Sequence, residues 1–170
     1  MANKVFLGLG SNKGDRKEYI LKAVEAISKN KKCRVIKLSS IYETTPYGMT
    51  DQQNFYNAAA EIETELEIEE LYKFIKLVEA ETGREESTVR WGPREIDVDI
   101  LFYNNLIYSS NKLTIPHKEI LQRDFVIIPL KEIAAEFVHP VLNKKLGDID
   151  TGAIAKHIIR KIDFSTKHNI

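Results

Sequence analysis

Two hydrophobic periods run through this chain, and their order predicts its fold. Val5 to Leu9 reads as a buried strand ending in Gly8-Leu9-Gly10-Ser11-Asn12-Lys13-Gly14-Asp15, whose glycines and Asn/Asp residues are turn formers. Ile20, Val24 and Ile27 then recur at helical spacing with Leu21 beside them, predicting an amphipathic helix over about 16 to 29 capped by Asp15. Arg34 to Tyr42 is a second strand, and Thr44 to Asn54 a long polar loop of the length that carries function. Phe55 to Leu66 alternates, with Tyr56, Ala58, Ala60, Ile62 and Leu66 on one face and Phe55, Asn57, Glu61, Glu63 and Glu65 on the other. Leu71, Phe74, Ile75 and Val78 mark a second helix, stopped by Gly83. Arg84 to Arg94 has almost no hydrophobic period and contains the single Trp91, so it reads as a mobile basic loop over a site.

The strand from Glu95 to Phe102 follows, and its period sends Ile96, Val98, Ile100 and Phe102 to one face and Asp97 and Asp99 to the other. Strand, helix, strand, strand, helix, strand is the order of a ferredoxin-like βαββαβ unit, an α+β fold with an antiparallel sheet, helices on one face and the other face free. C-terminal additions follow. Leu113 to His117 is extended, a short helix lies near Lys118 to Leu121, and another runs from about Ile127 to Ala135. Ile154, Ile158 and Ile162 have helical spacing, and residues from about Asp163 are expected to fray.

Composition narrows the function classes. The chain has 170 residues, 43% hydrophobic and 29% charged, which suits one soluble domain. Lys+Arg and Asp+Glu are equal at 25 each, which argues against a general nucleic-acid or membrane-surface binder. Glu61, Glu63, Glu65, Glu67, Glu69 and Glu70 form an acidic run expected to be a solvated face. A single cysteine, Cys33, cannot form an internal disulfide or a cysteine zinc site. With no signal peptide and no apolar run near about 18 residues, a soluble cytoplasmic protein, no membrane partner and a monomer are the expectations.

Next-but-one residues on a strand are roughly 6.5 to 7 Å apart at Cα, so Asp97 and Asp99 are placed to hold a hard divalent cation, or to bridge two. Arg90 and Arg94, just upstream, would grip a matching anion. The competing reading is a wet strand face carrying two acids. Phe55 and Asn57 share the non-core face, a pair that suits a flat heteroaromatic ligand because the ring stacks and the amide reads donor and acceptor edges. A covering Phe and a turn-flanking Asn would look the same.

Assembled in order, Gly8-Leu9-Gly10-Ser11-Asn12, the Thr44 to Asn57 stretch, Arg90-Trp91-Gly92-Pro93-Arg94 with Asp97 and Asp99, and Ile115-Pro116-His117 followed by Arg123-Asp124-Phe125 carry a resemblance. The chain resembles the hydroxymethyl-dihydropterin pyrophosphokinases of folate biosynthesis over about Val5 to Pro140. That resemblance implies an enzyme moving the pyrophosphoryl unit of ATP, its co-substrate, onto the hydroxymethyl group of a reduced pterin, with two Mg2+ ions held by Asp97 and Asp99. It implies catalytic or clamping roles for Arg84 and Arg94, and a pterin site of Thr44, Thr45, Tyr47, Phe55, Asn57 and Phe125. It maps Glu79, Ile100, Lys112, Thr114 and His117, with Arg84, Trp91, Arg94 and Arg123, around ATP. Small-molecule partners are implied, not nucleic acid. Departures are Phe55 where many bacterial relatives have Tyr, Tyr47 for Leu, Thr45 for Pro, Glu86 for a loop arginine, and Lys118 for an aromatic residue. A metal-dependent nuclease or nucleotidyl transferase would also use the acids and arginines, and an RNA-recognition module would need a basic sheet face that the acids contradict.

Overall fold

The computed structural model describes residues 2–86 and 89–162, so the expected fraying from Asp163 lies outside the described residues. In chain order the elements are β1 (Asn3–Ser11), α1 (Arg16–Ser28), β2 (Cys33–Leu38), β3 (Ile41–Thr44), β4 (Phe55–Thr64), α2 (Ile68–Glu81), β5 (Asp97–Tyr103), β6 (Tyr108–Ser109), β7 (Thr114–Ile115), α3 (Asp124–Ala134) and β8 (Ile158–Ile162). The main sheet is antiparallel in the order β5-β1-β4-β3-β8, with β2 also paired to β4. This is the ferredoxin-like order. Its two helices share a face, burying Ile20, Val24 and Ile27 of α1 and Leu71, Ile75 and Val78 of α2 against Val5, Leu7, Ala60, Ile62, Val98 and Ile100. Helix α1 starts where expected, because the Asp15 carboxylate accepts the Glu18 N–H at 3.0 Å. Helix α2 stops before Gly83, whose φ of +109° costs a glycine little.

The structure corrects several details of the pattern. The stretch from Arg34 to Tyr42 is two strands, both on β4, because Ser39 and Ser40 leave the ladder. Ser39 Oγ accepts the Ala59 N–H, and the Ser40 N–H and hydroxyl both donate to the Glu132 carboxylate, at 2.8 Å in each case. Gly8 and Gly10 are not turn residues: pairing with β5 continues to Gly10 and pairing with β4 to Ser11. The strand bearing the aspartates begins at Asp97, and an irregularity opposite Phe6 and Leu7 moves Phe102 to the face opposite Val98 and Ile100.

That face is not free, as the helix count alone suggested. Phe6, Ala59, Leu101 and Phe102 make half of it apolar, and α3 covers them with Ile127, Leu130 and Ala134. Burial of a ring such as Phe102 is worth about 3–5 kcal/mol against truncation, enough to fix α3 firmly on the sheet. Helix α3 starts at Asp124 rather than near Ile127, and Lys118 to Leu121 forms turns rather than a helix. The stretch around Ile158 and Ile162 is strand β8 on the edge of β3, since Ile spacing of four fits a strand as well as a helix. Nor is Glu61 solvated: it is 7% exposed, with Lys4 and Lys37 each 3.7 Å away.

Candidate active site

Where α3 stops short, the second face of the sheet is open, and its floor is made by glycine. Gly10 lies opposite Asn57 on one side and Asp97 on the other, while Gly8 lies between Ala59 and Asp99. With no side chains on this part of β1, the carboxylates of β5 and the amide of β4 look across an empty strip. A Cβ at Gly10 would stand 2.7 Å from Asn57 Oδ1, so only glycine fits there with the amide in place.

Two cavities meet over this floor. The first, of about 90 Å³, is lined by Thr44, Thr45, Tyr47, Phe55, Asn57, Trp91, Arg94, Asp97, Asp99, His117, Arg123 and Phe125, together with Gly8, Gly10 and Leu101. The second, of about 250 Å³, is lined by Asp99, Ile100, Lys112, Thr114 and His117, with Tyr72, Lys76 and the Ser110–Leu113 turn between β6 and β7. Asp99 and His117 belong to both. Of the residues expected at the site, Glu79, Arg84 and Arg90 line neither cavity. Arg84 instead bridges Asp97 and Glu79, at 2.9 Å from each. Glu79 is 3% exposed and accepts the Val98 N–H at 2.8 Å, which fixes the start of the aspartate strand from below.

Electrostatically the carboxylate edge is crowded. Asp97 Oδ1 faces Arg84 at 2.9 Å and Oδ2 faces Arg94 at 3.2 Å. Among the described residues no arginine pairs with Asp99 in this way, and burial together with the neighbouring Asp97 charge pushes its pKa up to about 7. Burial likewise raises Glu79, with Lys76 opposing. His117 is held below its ordinary value by burial, then by Arg123. Its Nδ1 accepts the Glu119 N–H at 3.2 Å, which leaves Nε2 as the protonated nitrogen of the neutral ring.

The aromatic half is quieter. Asn57 donates to Thr44 Oγ1 at 2.8 Å, so its carbonyl is turned toward Gly10 and the cavity. Tyr47 packs against Phe125 and Trp91, with ring centroids 6.2 and 6.3 Å apart, and the Arg123 guanidinium lies 4.4 Å from the Tyr47 centroid. Arg90 stacks on Trp91 rather than reaching the carboxylates.

Three loops are pinned together above the site by residues that the hydrophobic pattern did not single out. Asn12, 1% exposed, exchanges hydrogen bonds with the Arg94 backbone and donates to Gln52 Oε1 and the Gln53 carbonyl at 2.9 Å. Gln52 in turn donates to the Met49 and Trp91 carbonyls. A polar residue directly after a buried strand was the available signal. His157, which packs on Tyr47 and Phe125, carried none.

Paired carboxylates, guanidinium groups and an aromatic-walled pocket on a ferredoxin-like sheet point to a class: an enzyme that transfers a phosphorus group between small molecules. Among the described residues no third His, Cys, Asp or Glu joins the pair as a metal cluster, so phosphate oxygens and water must complete any cation's shell. Comparison with known proteins narrows the class. Residues 6–135 match the family described as 7,8-dihydro-6-hydroxymethylpterin-pyrophosphokinase (HPPK), and the chain belongs to it.

It is 44% identical over 144 residues to the 2-amino-4-hydroxy-6-hydroxymethyldihydropteridine pyrophosphokinase of Aquifex aeolicus, covering 85% of this chain and 88% of that protein. The enzyme of the same name from Bacillus subtilis is 43% identical over 136 residues, covering 80% and 81%. The folic acid synthesis protein FOL1 of Dictyostelium discoideum is 43% identical over 141 residues, but this chain, 83% covered, spans only 21% of it. The crystal structure of wild-type Plasmodium falciparum HPPK-DHPS with pteroate superposes with a TM-score of 0.69 at 17% identity, over 86% of this chain and 41% of that one. The last likeness concerns the fold. Among the described residues, no helix is long and apolar enough to cross a membrane.

Proposed function

We infer that this chain transfers the terminal pyrophosphoryl unit of ATP to the hydroxymethyl group of 6-hydroxymethyl-7,8-dihydropterin, giving AMP and the pterin diphosphate in folate biosynthesis. The observation that carries the reading is the meeting of two unlike cavities at Asp99 and His117. The aromatic end of the first cavity suits the pterin, and the second, with Lys76 and Lys112 on its wall, suits ATP.

In the first cavity Phe55 and Phe125 stack on the ring, while Asn57, Thr44 and the backbone of Thr45 and Tyr47 read its edge. In the second, Ile100, Lys112 and Thr114 surround adenosine, with Glu79 holding the wall from below. His117 donates from Nε2 to a phosphate oxygen, and Arg84, Arg94 and Arg123 clamp the polyphosphate while Trp91 closes over it. Asp97 and Asp99 fit two Mg2+ ions, as an all-oxygen pair that must share its cations with phosphate. Bound there, magnesium would neutralise charge developing on the transferring group. Arg84 and Arg94 pair with Asp97, and with magnesium held there they would be free to face the phosphates. The residues orient the hydroxymethyl oxygen in line with the β-phosphorus, and no covalent nucleophile is required. In this reading the chain works as a monomer in the cytoplasm, a reducing compartment that the free buried Cys33 fits.

The test is to incubate the protein with ATP, magnesium and the reduced pterin and to separate the nucleotides. AMP is expected in equal amount to pterin diphosphate. Formation of ADP, or no pterin-dependent turnover, would overturn the reading.

A further inference from the structure

We propose that His157, just before strand β8, is a positioning residue that sets the width of the pterin cavity from behind. This rests on the pterin reading of that cavity. The backbone places the residue first. The His157 carbonyl accepts the Thr45 N–H at 2.9 Å, and the Asp124 carboxylate accepts the N–H groups of His157 and Ile158 at 2.8 and 2.9 Å. Asp124 opens helix α3 and precedes Phe125, so one carboxylate ties the tail to the helix that carries the stacking ring.

The side chain then does what the backbone does not. Its Nδ1 lies 2.9 Å from Thr45 Oγ1, and its ring meets Tyr47 and Phe125 edge-on, each with a centroid separation of 5.7 Å. Thr45 and Tyr47 belong to the loop after β3, and Phe125 to α3. One imidazole thus links the loop that reads the edge of the pterin to the ring that stacks on its face. Pairing of β8 with β3 would hold the strand in place with any side chain at position 157, so edge pairing leaves the imidazole contacts unexplained. A hydrogen bond plus two aromatic edges is more than spacing needs and is what a fixed wall needs.

Three variants separate the contributions. H157A removes both, H157N keeps an amide atom where Nδ1 stood, and H157F keeps a ring without the hydrogen bond. We expect H157A to raise KM for the pterin by about tenfold, with kcat and the ATP KM changed by less than about twofold, and H157N and H157F to fall between it and wild type. Hydrogen exchange of segment 44–47 in the substrate-free protein should quicken in H157A, and quicken less in H157N. An unchanged pterin KM in H157A, or equal rises in the pterin and ATP KM values, would overturn the proposal. If the wild type itself makes no AMP, the pyrophosphokinase reading fails, and unchanged exchange at 44–47 in H157A would separately overturn the positioning role of His157. Should H157A not fold, H157F against H157N decides by the same two readouts.

Discussion

The carboxylate edge on β5 and the aromatic pocket over β3 and β4 lie on one sheet face, yet they are prepared for their ligands in opposite ways. In the pocket, neutral groups are already satisfied: Asn57 bonds Thr44, Thr45 bonds His157, and Tyr47 rests on Phe125. At the edge, charge is left unbalanced. Asp97 borrows two arginines, while Asp99 is pushed toward neutrality by burial and by Asp97. The pocket is a preformed shape, and the edge is a crowding of like charge that, in the proposed reading, a bound cation would relieve. Preorganisation of these two kinds should fail in different measurable quantities.

The sharpest break is Asp97→Asn or Asp99→Asn. Each should lower kcat about a thousandfold, equivalent to roughly 4 kcal/mol of transition-state stabilisation, while equilibrium binding of the pterin stays within a few-fold by titration. Turnover close to wild type in both variants would end the metal assignment. Arg94→Ala should cost about a hundredfold in kcat with the pterin KM little changed. Its counterpart in the pocket, Asn57→Ala, should raise the pterin KM by about thirtyfold and touch kcat least. If steady-state kinetics gave the same pattern for both variants, the division between edge and pocket would be wrong.

The smallest effect is on stability. Because the folded protein raises Asp99 from 3.8 to about 7, it binds this proton more tightly than the unfolded chain does. Metal-free protein should therefore lose stability as pH rises from about 4 through about 7, with this contribution fully present only below the unfolded value. Asp99→Asn should flatten that slope and raise the melting temperature at pH 8 by about 3 °C in chelator. A melting curve of identical pH dependence in wild type and variant would refute the crowded-carboxylate account.

What could be read from the chain depended on the range of the forces involved. Strands β1, β4 and β5 and helices α1 and α2 follow from local periodicity and from the local signals Asp15 and Gly83. The break at Ser39 and Ser40 was hidden, because its partner is Glu132 on a helix 92 residues away. The displacement of Phe102 depends on one irregular pairing, and a single slipped residue exchanges the faces of all that follow. Strand β8 carries charged Arg160 and Lys161 between its isoleucines, and its edge position lets it do so without a strong pattern. Within the site, Asp97, Asp99, Phe55 and Asn57 were visible because strand alternation dictates their face. Asn12 and Gln52, by contrast, act between loops whose proximity no local period encodes.

The bare floor at Gly10 also bears on how this enzyme would respond to an inhibitor. A compound pressed flat against β1 beside Asn57 occupies space that target proteins commonly reclaim by growing a side chain. Here the smallest such growth, a single methyl group at Gly10, would strike the amide oxygen of Asn57. The change that excludes the drug would also disturb the amide proposed to read the pterin edge. A substitution at that spot that weakened the inhibitor should therefore weaken the pterin as well, or else the escape must lie somewhere other than the floor.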